Sequence, residues 1–214
     1  HVNEGLEADA AARYAEGGGI RRSNVGGFHS DEEVFSGSSS DWYGRLHNVL
    51  LEALRMLEPD PAAATSAQLA RMRLTGWLNM STSYAFNTLH DHGDAVWAAV
   101  YFVDAGKPVV VQEDESAAVF AGALLLKTQF EPWASRYGYL PITPRPGDLW
   151  IIPGYVPHAV LPRALPRANG EALPAEVEAE DNLRISVACN VKPYEVAKEG
   201  ESTGALRVVR HLLK

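Results

Sequence analysis

The chain has 214 residues, 46% of them hydrophobic, which is enough to bury a sizeable core in one large domain. It carries 19 lysines and arginines against 27 aspartates and glutamates, and this net charge of -8 disfavours nucleic acid and anionic membranes as partners. No apolar stretch approaches the roughly 20 residues that cross a bilayer, and the start lacks the order of a signal peptide, so we expect a cytoplasmic protein. The single cysteine, Cys189, lies in an apolar run, which is typical of a buried structural thiol in a reducing compartment.

The N-terminal part of the chain is predicted to form helices and loops. An Ala-rich segment, Leu6 to Ala15, favours a helix that ends at a run of glycines, and the polar passage from Ser23 to Ser30 is typical of a loop. From the candidate N-cap Asp41 to Pro59, apolar residues recur at helical spacing. They predict an amphipathic helix packed on the outside of a sheet, and are Leu46, Val49, Leu50, Leu54 and Leu57. A shorter helix is expected at about Ser66 to Arg71.

The rest of the chain alternates short apolar runs with turn residues, which predicts antiparallel strands. The predicted strands are Leu74 to Thr82, Tyr84 to His92, Ala95 to Asp104, Pro108 to Gln112, Asp148 to Ile152, His158 to Leu161 and Leu183 to Val191. The segment from Phe120 to Tyr137 shows no clear preference. Helices followed by strands predict an α+β chain built on a jelly roll or barrel, with the helices outside it.

We expect one domain, 1–214, without internal repeats. Residues 1–72 form its helical and loop part in this interpretation, and residues 73–214 form the jelly-roll core. A stretch rich in alanine, proline and glutamate at 163–182 shows no periodicity. It is predicted to be a long surface loop inserted into the core.

Histidine and aspartate are densest in the segment from Leu89 to Asp94, at the end of a predicted strand. Side chains alternate between the two faces of a strand, so His90, His92 and Asp94 point the same way if the chain stays extended. His158 follows a later predicted strand, and antiparallel pairing can bring it to the same place. The pattern predicts a metal site.

Two ligand sets fit this pattern. His92, Asp94 and His158 would give two imidazoles and one carboxylate, the facial arrangement of non-heme iron(II) oxygenases. His90, His92 and His158 would give three imidazoles, which suit iron, zinc or copper. The spacing does not choose between these sets, and structural histidines without a metal are a third reading.

The last predicted strand places Arg184, Ser186, Ala188 and Asn190 on one face. An arginine that points into a small barrel needs an anion. A guanidinium holds a carboxylate through paired charge-assisted hydrogen bonds, and the Ser186 hydroxyl can add another. Arg184 and Ser186 therefore have the pattern of a clamp for the distal carboxylate of 2-oxoglutarate, whose keto-acid end would chelate the iron.

Several segments in a fixed order also carry a family resemblance. They are Ser23-Asn24-x-Gly26-Gly27-Phe28-His29-Ser30, Gly76-Trp77-Leu78-Asn79, Asn87-x-x-His90-x-His92, Val100-Tyr101-Phe102-Val103, Pro146-Gly147-Asp148-Leu149-Trp150-Ile151-Ile152-Pro153 with Pro157-His158, and Arg184-Ile185-Ser186-Val187-Ala188-x-Asn190. Together they resemble the 2-oxoglutarate/iron(II) oxygenases of bacteria and phage that are related to prolyl hydroxylases. The resemblance covers most of the chain.

This resemblance implies a double-stranded β-helix, a cupin-like jelly roll, and a non-heme iron enzyme. It implies an iron site that includes His158, with Arg184 as the anchor of the cosubstrate 2-oxoglutarate. The first two ligands of the family correspond to His90 and His92, so the resemblance favours His90 where ligand type favours Asp94. The expected reaction is a hydroxylase-type oxidation that releases succinate and CO2.

Further side chains are candidates to line the cosubstrate pocket, namely Asn79, Asn87, Tyr84 and Tyr101. The insertion between His158 and Arg184 departs from the family pattern and bears on substrate access. The substrate is expected to be a small molecule or a peptide or protein side chain. The sequence is compatible with a homodimer but does not decide the oligomeric state. Two rival classes are a cupin-like metalloenzyme that does not use 2-oxoglutarate and a non-catalytic jelly-roll binding module.

Overall fold

The computed structural model describes residues 2–36, 41–57, 72–107, 119–127, 138–164 and 183–193. Within these ranges the elements are α1 (Val2–Glu16), β1 (Asn24–Val25), β2 (Phe28–His29), α2 (Asp41–Met56), β3 (Met72–Ser81), β4 (Phe86–His90), β5 (Trp97–Asp104), β6 (Leu124–Lys127), β7 (Tyr139–Ile142), β8 (Leu149–Pro153), β9 (His158–Val160) and β10 (Arg184–Pro193). The predicted helix at 66–71, the predicted strand at 108–112 and all but the start of the 163–182 insertion lie outside the described residues.

The strands form two antiparallel sheets, which confirms the predicted α+β jelly roll. Both sheets have five strands, and the one with the longer strands is called the larger sheet. The larger sheet has the order β2-β3-β10-β5-β8, so β10 lies at its centre. The smaller sheet has the order β1-β4-β9-β6-β7. Phe102 of β5 and Leu124 of β6 belong to an apolar cluster that joins the two sheets. No helix among the described residues is long and apolar enough to cross a membrane.

Both helices pack on the larger sheet. Three leucines of α2, spaced four residues apart, are buried in one cluster with residues of β3 and β10, and they are Leu46, Leu50 and Leu54. Val49 and Leu57 were predicted on the same stripe but are exposed. The apolar stripe of α2 is therefore narrower than its sequence indicates, and it covers the face of the sheet that is turned away from the smaller sheet.

The passage from Ser23 to Ser30, predicted as a loop, contains two short strands. Pairing with distant strands creates them, since β1 pairs with β4 and β2 pairs with β3. Between them Gly26 and Gly27 both have a φ of 67°. A Cβ at Gly27 would lie 2.6 Å from the carbonyl oxygen of Met80, so the close approach of this turn to β3 requires glycine. The loop prediction was wrong here because two-residue strands leave no periodic signal.

Candidate metal centre

The smaller sheet brings two of the predicted histidines together. β4 and β9 are antiparallel neighbours, and their register places His90 opposite His158. His92 lies just beyond β4, in a turn where its backbone N–H donates to the carbonyl of Gly154 at 2.9 Å. One nitrogen from each of the three rings lies within 4.8 Å of the others. Among the described residues, this is the group of side chains that could hold a metal ion.

The Nδ1 atom of each ring lies beside an oxygen acceptor. The pairs are His90 with the carbonyl of Thr88 at 2.7 Å, His158 with the carbonyl of Val156 at 2.9 Å, and His92 with the side-chain oxygen of Asn190. A carbonyl oxygen only accepts, so each Nδ1 carries the proton and donates it. The Nε2 atom of each neutral ring is then left with its lone pair.

These lone pairs converge on one another. Nε2 of His92 and Nε2 of His158 are 3.2 Å apart, and neither has a proton to donate in this tautomer. Two lone pairs at this distance repel each other unless a cation lies between them. The donor set therefore fits a divalent transition metal, for which neutral imidazoles with hydrogen-bonded Nδ1 atoms are common ligands.

The charge state of the rings agrees with this fit. Burial lowers the pKa of His158 to about 4. Burial also lowers the pKa of His92, although the hydrogen bond to Asn190 opposes the shift. Both rings are consequently neutral near pH 7, which is the form of imidazole that binds a metal.

Asp94 does not join the three histidines. The chain turns at Gly93, where φ is 55°, so the extended conformation that would have kept Asp94 on their face ends there. The carboxylate of Asp94 lies 2.7 Å from Nζ of Lys192, and its side chain is 78% exposed. The hydrogen bond from Lys192 lowers the pKa of Asp94. Of the two ligand sets that the sequence leaves open, the structure assembles the set with His90.

A cavity between the sheets connects the histidines with the predicted anion clamp. Arg184, Ser186 and Ala188, on one face of β10, line this cavity together with Asn79 and Asn87. Arg184 begins β10, whereas Asn190, the partner of His92, lies toward the other end of the strand. The cavity therefore has an arginine end and a histidine end.

The guanidinium of Arg184 is fixed by backbone oxygens. The residue is 4% exposed, its Nε donates to the carbonyl of Ala105 at 3.3 Å, and its Nη2 donates to the carbonyl of Gly122 at 2.5 Å. Burial, reinforced by the nearby Arg163, lowers the pKa of Arg184 to about 9. A buried cation of this kind binds anions strongly, because little water competes for its donors.

The structure does not bring the two predicted tyrosines to the cavity. β5 turns Ala98, Val100 and Phe102 toward it, and strand alternation then turns Tyr101 the other way. The hydroxyl of Tyr101 donates to the side-chain oxygen of Asn3 on α1 at 2.6 Å. Tyr84 is exposed on the surface.

Two groups at the site were not predicted as site residues. The hydroxyl of Ser23 accepts from Nδ2 of Asn87 at 3.1 Å and lies 3.5 Å from Nε2 of His90. Membership of Ser23 in the first segment of the family resemblance was the available signal. Asn190 was predicted to share a face with Arg184, but nothing in the sequence paired it with His92.

Trp77 also lines the cavity. Its ring stacks on His92 with centroids 5.8 Å apart, and His29 stacks on it with centroids 5.4 Å apart. Both neighbours are nearly parallel to the indole ring, so Trp77 packs against His92 of the candidate metal centre.

Comparisons with known proteins find a family match and similar folds. Residues 75–167 match the model of a family described as "Putative 2OG-Fe(II) oxygenase", a segment that contains all three histidines. A prolyl-4-hydroxylase from Pseudomonas putida is similar in structure, with 15% identity, a TM-score of 0.54, and coverage of 90% of this chain and 86% of that one. No curated protein sequence matches the chain.

Two further solved structures are similar over almost the whole chain. HygX from Streptomyces hygroscopicus, with nickel and 2-oxoglutarate bound, has 12% identity and a TM-score of 0.55, covering 96% of this chain and 85% of that one. The epimerase SnoN from nogalamycin biosynthesis has 13% identity and a TM-score of 0.51, covering 95% and 84%. At these identities the likeness shows the fold.

The fold is that of a double-stranded β-helix, and its three histidines form a possible metal site. The family match over 75–167 narrows this class, because that segment is similar to 2OG-Fe(II) oxygenases. The protein is thus a non-heme iron enzyme that depends on 2-oxoglutarate. The predicted resemblance, enzyme class and cofactors are confirmed.

Proposed function

We propose that the protein oxidises its substrate in a hydroxylase-type reaction that converts 2-oxoglutarate to succinate and CO2. In this proposal His90, His92 and His158 hold iron(II), and Arg184 anchors the cosubstrate. The observation that carries it is the convergence of one nitrogen from each of three histidines in the same cavity as a buried guanidinium. When bound, iron(II) supplies the redox chemistry that activates dioxygen.

The protein itself holds the three histidines in position. His90 and His158 lie on paired strands, which sets the distance between them. The Nδ1 hydrogen bonds fix the tautomer and orientation of each ring, so little reorganisation accompanies metal binding. The side chain of Asn190 does this for His92 from the larger sheet, and it thereby links the two sheets across the site.

Arg184 provides charge-assisted donors for the distal carboxylate of 2-oxoglutarate. Its planar guanidinium matches a carboxylate in shape, and Ser186 offers a hydroxyl two residues further on the same face of β10. Both side chains are buried, so the carboxylate would exchange water for fixed donors. The anchor also orients the keto-acid end toward the histidines.

Asn79 is proposed to face the substrate. Its side-chain oxygen is buried and has no hydrogen-bond partner among the described residues. At neutral pH 2-oxoglutarate carries only acceptor oxygens, so a donor for Asn79 would come from an N–H or O–H group of the substrate. Asn87, held by Ser23, would line the cavity beside it.

The substrate class is proposed to be a small molecule or a peptide side chain. Structural neighbours that act on each kind support this range, since one is a prolyl-4-hydroxylase and another is an epimerase of nogalamycin biosynthesis. The net charge of -8 is consistent with a substrate other than nucleic acid.

The test is succinate formation without added substrate. Protein reconstituted with iron(II) under anaerobic conditions is mixed with 2-oxoglutarate and then with air, and succinate is measured. We expect succinate from the wild type and from the surface control Arg73→Met, and background levels from His158→Ala and Arg184→Met. A protein that binds one metal ion but shows no affinity for 2-oxoglutarate would contradict the proposal and favour a cupin-like metalloenzyme.

A further inference from the structure

Arg163 is a second buried arginine that the proposed chemistry does not use. It follows β9 and is 2% exposed. Its Nη2 donates to the carbonyl of Ser81, at the end of β3, at 3.0 Å, and its Nη1 donates to the carbonyl of Lys107, beyond β5, at 3.3 Å. One side chain therefore ties the end of β3 to the segment that follows β5, the two strands on either side of β10.

Two glycine turns make room for this side chain. Gly106 and Gly122 have φ values of 63° and 72°. A Cβ at Gly106 would overlap the guanidinium of Arg163, and a Cβ at Gly122 would lie 2.7 Å from Cγ of Arg163 and 2.5 Å from Nη2 of Arg184. Both turns are therefore in direct contact with Arg163, and one of them also touches Arg184.

The same two turns supply the oxygens that hold Arg184. The carbonyl of Ala105, next to Gly106, accepts from Nε of Arg184, and the carbonyl of Gly122 accepts from its Nη2. Any movement of these turns would redirect the guanidinium of Arg184. The positive charge of Arg163 also lies close enough to disfavour the charged state of Arg184, an effect that a bound carboxylate would relieve.

We infer that Arg163 is a positioning residue that sets the affinity and selectivity of the site for a dicarboxylate 2-oxo acid, by holding the two turns on which Arg184 rests. The inference depends on the proposed function, since it assumes that Arg184 receives the distal carboxylate. Arg163 itself does not line the main cavity and is not expected to touch the cosubstrate.

The test compares two keto acids on the nickel-substituted protein by calorimetry. The first, 2-oxoglutarate, has a distal carboxylate, and the second, 2-oxopentanoate, has the same chain length without it. Arg163→Met keeps an unbranched apolar stem but loses the hydrogen-bond donors. We expect it to lower the affinity for 2-oxoglutarate about tenfold, which is the lower end of typical losses for supporting groups. The affinity for 2-oxopentanoate should stay within twofold, so selectivity falls about tenfold. Arg73→Met, on the exposed part of β3, is the matched control and should leave both affinities unchanged.

The outcomes separate this inference from the proposed function. If the wild type fails to bind 2-oxoglutarate, the proposed function itself is wrong. If the wild type binds 2-oxoglutarate and Arg163→Met keeps the wild-type selectivity, or lowers the affinity for both acids equally, Arg163 has only a structural role. The inference is then overturned. Should Arg163→Met fail to fold, Arg163→Lys decides the matter. It keeps the charge with a single donor head, so a loss of about threefold for 2-oxoglutarate alone supports the inference and wild-type selectivity contradicts it.

Discussion

At the histidine end of the cavity neutral rings bring their Nε2 lone pairs together, whereas at the arginine end a buried cation is held by backbone carbonyls. The first end is built mainly from short strands and a turn of the smaller sheet, and its rings need only a fixed tautomer and direction. The second end lies on the central strand of the larger sheet, and its buried charge needs backbone carbonyls from two turns. The proposed site for a metal and a dicarboxylate thus has its electron-pair donors and its hydrogen-bond donors mainly on different sheets.

This division means that the two ends should be separable by mutation. Substitutions at the histidine end should remove the metal, and substitutions at the arginine end should remove the cosubstrate while the metal stays. Asn190 belongs to the histidine end although it lies on the larger sheet, because its side chain reaches His92. The following variants test that division, from the largest expected effect to the smallest.

Replacing His158 should have the largest effect. His158→Ala removes one of three converging nitrogens, and we expect the purified and reconstituted protein to lose stoichiometric iron, nickel or zinc in elemental analysis. The control is His47→Ala, which changes a histidine of α2 that lies outside the cavity. A His158→Ala protein that still holds one metal ion with wild-type affinity would exclude this histidine as a ligand.

Replacing Arg184 should abolish cosubstrate binding but spare the metal. Arg184→Met loses two charge-assisted hydrogen bonds to the distal carboxylate, and we expect an affinity for 2-oxoglutarate about 100-fold lower. Metal content should equal that of the wild type. Calorimetry with 2-oxoglutarate and elemental analysis on the same sample measure both quantities. Loss of the metal together with the cosubstrate would show that the two ends are not independent.

Replacing Asn190 should weaken the metal site through His92. Asn190→Ala removes the acceptor for Nδ1 of His92, and outer hydrogen-bond partners of this kind typically contribute about 10- to 100-fold to metal affinity. Asn190→Asp retains an acceptor oxygen and should recover most of the loss. Competition with a chromophoric chelator gives both affinities. Equal affinity in Asn190→Ala and the wild type would show that this hydrogen bond does not support the metal.

The reactivity of the Cys189 thiol reports on the packing of the face of β10 that is turned away from the cavity. It is 1% exposed, and burial raises its pKa to about 12, so the reactive thiolate stays scarce well above pH 8.5, where an exposed cysteine is half ionised. We expect no modification of the native protein by iodoacetamide between pH 7 and 9 on a scale of about an hour, and full modification in guanidinium chloride. Mass spectrometry measures the extent. Rapid labelling of the native protein would show that this core opens.

Asp94 should have the smallest effect. Its carboxylate is largely exposed and pairs with Lys192, and exposed ion pairs of this kind contribute less than about 1 kcal/mol. Asp94→Asn should therefore change metal affinity less than twofold. A large loss of metal in this variant would restore the ligand set of two histidines and one carboxylate.

The fold and the faces of the strands could be predicted from the sequence, because the alternation of apolar and polar residues along a strand is visible without tertiary information. The sequence pattern placed Arg184 and Ser186 on one face correctly, and β10 presents both to the cavity. It left Asp94 and His90 as alternatives, since only the turn at Gly93 decides which of them stays beside His92. That turn is held in part by a distant residue, since the backbone N–H of His92 donates to the carbonyl of Gly154.

The residues that support the site side chains could not be predicted from the sequence. Asn190 reaches His92 across 98 positions of the chain, and Arg163 reaches Ser81 across 82 positions. Pairings of this range leave no local pattern in a single sequence. Arg163 falls at the start of the predicted surface insertion, where exposure was the natural expectation, yet the structure buries it beneath two glycine turns.

A crystal structure grown without oxygen in the presence of iron(II) and 2-oxoglutarate tests the central claim most directly. Anomalous scattering at the iron edge should place one iron ion within bonding distance of the Nε2 atoms of His90, His92 and His158. The distal carboxylate of 2-oxoglutarate should lie on the guanidinium of Arg184. Iron bound by Asp94 in place of His90, or 2-oxoglutarate bound away from Arg184, would contradict the account.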